Sequence, residues 1–364
     1  MKKKIALIIP NFDDGGAQRF FANLINALNF NKFKIILIVF NTNNSKFFKY
    51  IPKNIEVYDL NKKRVRYGLF ELYKLIHKLN PDLVFSTLTQ LNLPIVFLKI
   101  VFFNKTKFVA REANLVSSNL NRYKFRWIWS FMYKLLYKHF DAIVCISRTQ
   151  AIDLEKNFKI SKNKIKIIYN FVSPKTENQI KETILEEYFN DNSTTYFLAV
   201  GSLSIQKRFD RLISSFSIIK DSNFKLYIVG DGPLKNELTD QIKANGLSDK
   251  IKLLGYSDNV YNWFKKTDYF VISSDYEGLG TVIIESIYNL TPVLAFPIKG
   301  IASEILEDIK GCYYIKRNSI EDFARLLDER MNKKYKLNNI YSNKFNDKKI
   351  ITEYEKFFLG LMSN

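Results

Sequence analysis

Short, continuous apolar runs alternate with amphipathic stretches along nearly the whole of this 364-residue chain. IALIIP at 5–10, IILIVF at 35–40, DLVFST at 82–87, KFVAR at 107–111 and DAIVCIS at 141–147 read as strands covered on both faces. The stretches at 17–29 and 68–79 carry apolar residues at helical spacing instead. Continuous apolar strands separated by helices require a parallel sheet with helices on either side. After KIKIIYNFV at 164–172 the rhythm blurs through a polar stretch near 173–194. It then restarts with YFLAVGS at 196–202, a helix at 207–220, FKLYIVGDG at 224–232, a helix at 233–245 and IKLLGY at 251–256. YFVISS, a helix after Gly280 and PVLAF at 292–296 complete the second series.

A single hydrophobic core stops growing at roughly 250–300 residues, so two domains are expected. We place them at 1–172 and 173–345, with a terminal helix near 346–364 packing back on the first. The fold class is α/β: two Rossmann-like, doubly wound parallel-sheet domains facing each other across a deep cleft. In such sheets ligands bind beyond the carboxyl ends of the strands, and the groove is the expected active site.

The formal net charge is +20, and its distribution is one-sided. Residues 1–140 hold 24 Lys and Arg against 7 Asp and Glu, whereas the remainder holds 32 against 29. An anionic partner for the first half follows: acidic lipid, a phosphate-bearing substrate or nucleic acid. The two cysteines, Cys145 and Cys312, lie among apolar neighbours, offer no disulfide framework and suit a reducing cytoplasm. MKKKIALIIP has the basic flank of a signal peptide, but Pro10 closes a stretch too short for one, so it reads as a first buried strand. IVFLKIVFF at 95–103 is too short to span a bilayer and contains Lys99. The expectation is a protein not integral to a membrane.

Four turns fall where strands should end: Asp13-Asp14-Gly15-Gly16, Gly201-Ser202, Gly230-Asp231-Gly232-Pro233, and Glu277-Gly278-Leu279-Gly280-Thr281. Glycine lets backbone amides approach a ligand, and a helix N-terminus favours phosphate. The last turn belongs to YEGLGTVIIESIYN at 276–289, which frames an apolar run with two carboxylates. Glu277 precedes a helix starting near Gly280 or Thr281, and Glu285 lies about one turn into it. A carboxylate among Ile283, Ile284 and Ile287 is costly to bury unless a protein group or a ligand hydrogen-bonds to it.

The chain resembles the GT-B glycosyltransferases of family four, the retaining, nucleotide-sugar-dependent group 1 enzymes. Glu277 and Glu285, with seven residues between them, match the E-x7-E signature in the context SSDYEGLGTVIIESI. GGAQR at 15–19, NPDLVFS at 80–86, YNFV at 169–172, VGSLSIQKRFDRLI at 200–213, VGDGPLKNEL at 229–238 and LLGYSDNV at 253–260 extend the match over nearly the whole chain. The resemblance implies transfer of a hexose or N-acetylhexosamine from a nucleotide-sugar, with UDP the family-weighted nucleotide. In that reading Glu285 accepts hydrogen bonds from the ribose, Glu277 lies beside the sugar, and amides of Gly280, Thr281 and Val282 hold the diphosphate. Lys207 neutralises the leaving diphosphate. Gly201, Ser202, Gly230, Gly232, Gly255, Tyr256, Gly278 and Leu279 complete the nucleotide-sugar site. Gly15, Gly16, Arg111 and Asn114 belong to an acceptor or phosphate loop, and Glu112 is an acceptor-side catalytic residue.

Two departures stand out. Ser202 replaces an arginine usual in the family, and Arg208 and Arg211 lie on different faces from Lys207 if 207–220 is helical. At Arg111-Glu112-Ala113-Asn114 neither His77 nor His139 fills a histidine role. The sequence contains no Asp-x-Asp, the metal-binding element of the other major transferase fold. No cofactor and no divalent metal are expected, the departing charge being met by Lys207 and helix dipoles.

Residues 119–140, NLNRYKFRWIWSFMYKLLYKHF, interleave Arg122, Lys124, Arg126, Lys134 and Lys138 with Tyr123, Phe125, Trp127, Trp129, Phe131 and Tyr133. This suits either a helix in the headgroup region of an anionic leaflet or a core helix with snorkelling lysines. KKRVR at 62–66 adds a second cationic patch. The expected acceptor is a polyprenyl-diphosphate-linked glycan met at the inner face of the membrane, a soluble glycan being the other possibility. Rival readings are a GT-B-shaped nucleotide-sugar epimerase, disfavoured by the scarcity of histidine, and a nucleic-acid-binding module, which leaves Glu277, Glu285 and the glycine turns unexplained.

Overall fold

A computed structural model of the chain describes residues 2–363 apart from 14, 44, 46, 104, 122, 173–182, 221–222, 258–259, 278–279, 299–301, 308, 332 and 339–344. Two compact units result, Met1–Ser173 with Asp347–Asn364, and Pro174–Asn346.

The first unit is a seven-stranded parallel sheet of β1 (Lys3–Ile9), β2 (Phe33–Val39), β3 (Glu56–Asp59), β4 (Leu83–Thr87), β5 (Lys107–Arg111), β6 (Ala142–Cys145) and β7 (Ile165–Ile167). Its order is β3-β2-β1-β4-β5-β6-β7, with the reversal between β1 and β4 that defines a doubly wound sheet. The helices are α1 (Gly16–Ala27), α2 (Leu69–Leu79), α3 (Thr89–Phe102), α4 (Val116–Leu120), α5 (Arg126–Leu136) and α6 (Arg148–Phe158).

Strand side chains alternate between faces, which explains why the runs are apolar throughout. Ile5, Leu7, Ile9, Leu37 and Val109 enter a core shared with Phe20, Phe21 and Leu24 of α1. Ala6, Ile8, Ile36, Phe108 and Ala110 enter the opposite core, beneath α2, α3, α5 and α6.

α5 is amphipathic. Tyr133 is fully buried against the sheet, whereas Trp127 and Phe131 are 70% and 63% exposed. The 119–140 segment is therefore neither wholly a core helix nor wholly a surface one, and Tyr133 leaves the list of membrane-facing aromatics. Arg122 lies outside the described residues. α3 packs beside α5 and exposes Phe97, Ile100 and Val101, an apolar strip within the 95–103 run that is too short to span a bilayer. Among the described residues no helix is long and apolar enough to cross a membrane.

The second unit holds β8 (Thr195–Val200), β9 (Phe224–Val229), β10 (Ile251–Gly255), β11 (Tyr269–Ile272), β12 (Val293–Ala295) and β13 (Tyr313–Tyr314), all parallel, in the order β10-β9-β8-β11-β12-β13. Its helices are α7 (Thr183–Glu186), α8 (Phe209–Ser217), α9 (Lys235–Ala244), α10 (Tyr261–Lys266), α11 (Thr281–Tyr288), α12 (Ala302–Leu306) and α13 (Ile320–Met331). Phe197, Ala199, Leu226, Ile228 and Val271 pack on Leu212 and Phe216 of α8, Leu238 of α9 and Leu327 of α13.

The chain then returns to the first unit as α14 (Asp347–Ser363). Tyr354 and Phe358, one turn apart, enter the α1 core. The Glu355 carboxylate accepts from the Asn29 amide at 2.9 Å and from Lys32 Nζ at 2.7 Å. Cys145 and Cys312 are buried free thiols, and burial pushes the Cys312 thiol up to about 12.

Candidate active site

In the second unit the loop after β8 and the turn after β11 are laced together. The Asp275 amide donates to the Gln206 carbonyl at 3.0 Å, Gln206 Nε2 to the Tyr276 carbonyl at 2.9 Å, and Ser273 Oγ to the Lys207 carbonyl at 2.8 Å. At the end of this lacing Lys207 Nζ lies 2.7 Å from Glu277 Oε1, which also accepts from Ser274 Oγ at 2.6 Å. Glu277 is 7% exposed. A buried carboxylate thus meets a lysine 70 positions earlier in the chain.

Lys207 is not in α8, contrary to the helix expected from 207. It closes a one-turn 3-10 helix, Ile205–Lys207, and Arg208 follows in the left-handed region at φ 51 before α8 begins. A non-glycine residue held there costs roughly 1–2 kcal/mol. Here the guanidinium is held by Asp210 at 2.9 Å and Asp275 at 3.5 Å. Arg211, 5% exposed, donates through Nε to the Ser273 carbonyl at 2.8 Å and pairs with Asp275 at 3.1 Å. Both arginines therefore brace the Glu277 turn from behind.

α11 starts at Thr281, with Gly280 left-handed at φ 56 as its N-cap. Glu285 lies on its buried face at 2% exposure, beside Ile284. Thr281 and Val282 are half-buried at the helix start, Ser202 is exposed and Tyr256 is 39% exposed. Gly278 and Leu279 lie outside the described residues.

Two glycines are required by something other than a ligand. A Cβ on Gly230 would sit 1.9 Å from the Gly201 carbonyl oxygen, and one on Gly232 2.6 Å from that of Leu203. Gly230 also donates its amide to the Gly255 carbonyl at 2.8 Å. These glycines allow the loops at the carboxyl ends of β8, β9 and β10 to touch backbone to backbone. Gly201 is packed on the Lys207 stem, where a Cβ would lie 2.9 Å from Cε.

The first unit carries a pocket of about 350 Å3 lined by Leu88, Thr89, Glu112, Asn114, Asn119, Tyr123 and their neighbours. Glu112, 2% exposed, accepts at Oε1 from Asn92 Nδ2 at 3.0 Å and from the Tyr137 hydroxyl. Burial pushes its carboxyl up to about 7, against the opposing pull of those two donors and of Arg111. Gln150, fully buried on α6, donates to the Asn114 carbonyl at 2.7 Å and so braces this loop.

Arg111 departs from its expected place in an acceptor or phosphate loop. It is 1% exposed, its guanidinium lies 4.0 Å from the Phe20 ring, and it donates to Asn170 Oδ1 at 2.6 Å. Strand parity is the reason: Arg111 follows Val109 into the α1 core, while Glu112 follows Phe108 and Ala110 to the α3–α5 side. Gly15 and Gly16 are exposed at the start of α1 and do not line the pocket. Asp14, from the same turn, lies outside the described residues.

Two family models account for nearly all of this arrangement. That of Glycosyltransferase Family 4 matches residues 14–176, and that of Glycosyl transferases group 1 matches residues 180–347. The chain belongs to the group 1 glycosyltransferases. A Campylobacter jejuni relative, named N-acetylgalactosamine-N,N'-diacetylbacillosaminyl-diphospho-undecaprenol 4-alpha-N-acetylgalactosaminyltransferase, is 29% identical over 98% of this chain and 100% of its own. An uncharacterized glycosyltransferase of Methanocaldococcus jannaschii is 31% identical over 65% of this chain, which spans only 61% of that relative's length. The Anabaena protein HepE, solved in complex with UDP and glucose, superposes with a TM-score of 0.79 at 16% identity, over 98% of this chain and 100% of that one. That likeness shows the GT-B fold.

For this glycosyltransferase Asn92, Tyr137 and Gln150 were not apparent as site residues in the sequence. Their only sequence signal was polarity at helix positions otherwise apolar, and Tyr137 was hidden inside a segment read for its charges.

Proposed function

We propose that this glycosyltransferase moves a hexose or N-acetylhexosamine, with retention, from a UDP-sugar to a polyprenyl-diphosphate-linked glycan in surface polysaccharide or glycoconjugate assembly. The observation that carries the reading is the pair that half-buried Lys207 makes with buried Glu277 in the turn after β11, eight residues before the buried Glu285 of α11. Glu285 would take the ribose hydroxyls, the amides of Gly280, Thr281 and Val282 the diphosphate, and Glu277 the sugar. Gly201, Ser202, Gly255 and Tyr256 would edge the nucleotide site. When the donor binds, Lys207 would exchange Glu277 for the diphosphate oxygens, which gain charge as the sugar leaves. No metal takes part in this scheme, so turnover is expected to survive EDTA.

The acceptor falls to the first unit. Its excess positive charge and the exposed Phe97, Ile100, Val101, Trp127 and Phe131 suit a peripheral site on an anionic membrane surface, where a lipid-linked glycan is presented. The name of the Campylobacter relative, with its diphospho-undecaprenol acceptor, supports this substrate class. The test is a thermal-shift screen against nucleotide-sugars followed by turnover with an undecaprenyl-diphosphate-linked acceptor. A ligand at 100 times its Kd adds about 2.7 kcal/mol, and no stabilisation by any nucleotide-sugar would refute the reading. Interconversion of a UDP-sugar without acceptor would favour an epimerase.

A further inference from the structure

The pocket of the first unit is electrostatically one-sided in a way its hydrogen bonds define. Both donors to Glu112, the Asn92 amide and the Tyr137 hydroxyl, are spent on Oε1. Asn92 has no freedom to do otherwise, because Ser86 Oγ donates to its Oδ1 at 2.8 Å and its Nδ2 also reaches the Arg111 carbonyl at 3.2 Å. Oε2 receives neither donor, on a side chain 2% exposed that lines the pocket. The rest of the described lining is neutral: Thr89, Asn114, Asn119 and Tyr123 supply polar atoms, and no Lys, Arg or His is present. At about 350 Å3 the space lies within the range of small-ligand sites, roughly 300–1,000 Å3.

A carboxylate oxygen in such a place accepts hydrogen bonds from a hydroxyl or amide and repels an anion. We propose that this pocket seats a neutral sugar of the acceptor, one of whose hydroxyl or amide groups donates to Glu112 Oε2, and that it rejects sugars bearing a carboxylate or phosphate there. The proposal rests on the reading of the first unit as the acceptor half. Tyr137 and Asn92 are positioning residues: by holding Oε1 they turn Oε2 toward the ligand, and they oppose the upward pull of burial on the carboxyl. The groups around Glu112 are Tyr133 and Tyr137 from the α5 segment, Arg111 behind it on β5, Cys145 on β6 and Asp153 on α6. Arg111 and the two donors favour the charged form, and Asp153 opposes it. Because burial pushes the carboxyl up to about 7, binding of a hydroxyl donor should strengthen as pH rises through that value.

The probes are methyl N-acetylhexosaminides and methyl hexosides, with methyl hexuronides as the anionic comparison, in saturation-transfer NMR with the full chain. Wild type is expected to bind neutral glycosides at pH 8 and not the hexuronides. Glu112→Gln, which keeps an acceptor for Asn92 and Tyr137, should weaken neutral glycosides about tenfold, admit the hexuronides and lose the pH dependence. Tyr137→Phe should move the pH midpoint upward, which a purely structural role would not do. Equal binding of neutral and anionic glycosides by wild type overturns the proposal, as does saturation transfer to no neutral glycoside. UDP titrated into the same samples by calorimetry keeps the two readings separate. UDP binding without glycoside binding defeats only the pocket assignment, and glycoside binding without UDP defeats the donor site.

Discussion

Glu112 and Glu277 are both carboxylates more than nine-tenths buried, and their neighbours give them opposite chemistry. Glu277 faces the Lys207 ammonium at 2.7 Å. Glu112 faces neutral donors, and burial dominates. Its carboxyl sits near 7 in the folded chain and at the ordinary value near 4.5 when unfolded, so the folded state binds the extra proton between those values. The stability this group contributes is therefore present at low pH and lost as pH rises through about 7, by roughly 3 kcal/mol. Glu112→Gln should accordingly melt higher than wild type at pH 8 and at about the same temperature near pH 5. A variant less stable at both pH values would contradict the burial argument.

Lys207→Ala should lower kcat by an estimated 10²–10³-fold with less effect on KM, because the charge it meets develops in the transition state. An effect confined to KM would reduce Lys207 to a ground-state contact. Glu285→Ala removes a charged acceptor worth roughly 1.5–3 kcal/mol, or about 10–150-fold in UDP affinity. Calorimetry showing unchanged affinity would remove Glu285 from the site.

Elements meet here through bare backbone. The loops ending β8, β9 and β10 touch at Gly201, Gly230, Gly232 and Gly255, and a Cβ at Gly230 would lie 1.9 Å from the Gly201 carbonyl oxygen. Gly230→Ala should cost about 3 kcal/mol or more, at the top of the range for overpacking, and should disturb Lys207 through Gly201. Gly246, just past α9, has φ 66 but nothing within 4 Å of its Cβ position. Gly246→Ala should therefore cost only the left-handed penalty, about 1–2 kcal/mol. Equal losses of melting temperature for the two variants would show that close approach of the loops does not matter.

At the scale of the molecule, charge and apolar exposure coincide on the first unit. Trp127 and Phe131 project from α5 near Lys124, Arg126 and Lys134, all exposed, and Phe97, Ile100 and Val101 project from the adjoining α3. Each basic residue at an anionic surface contributes about 1 kcal/mol, screened within a Debye length. Binding to phosphatidylglycerol vesicles should fall steeply with salt. Replacing Lys124 and Arg126 with Gln and Trp127 and Phe131 with Ser should cut vesicle binding and turnover of a lipid-linked acceptor while UDP affinity is retained. Undiminished vesicle sedimentation of the folded variant would mean that this face does not meet the bilayer.

Much of the architecture was legible in the sequence, because doubly covered strands must be apolar at every position and helices must not be. The alternation through IALIIP, IILIVF and their successors specifies parallel sheets, and Glu277, Gly280 and Glu285 announce themselves as a turn and helix start framed by carboxylates. Other facts depend on which residues meet across long separations, and local pattern is silent on these. Arg111 and Glu112 are adjacent in sequence, yet β5 sends one to Phe20 and Asn170 and the other to Asn92 and Tyr137. Gly230 looks like a phosphate turn until its neighbour proves to be the backbone of Gly201. The sequence by itself determined the elements, their parallel pairing and the family. Only the tertiary structure decided which carboxylate meets a lysine and which meets a phenol, because burial and hydrogen-bond partners are supplied by distant segments that have no local signature.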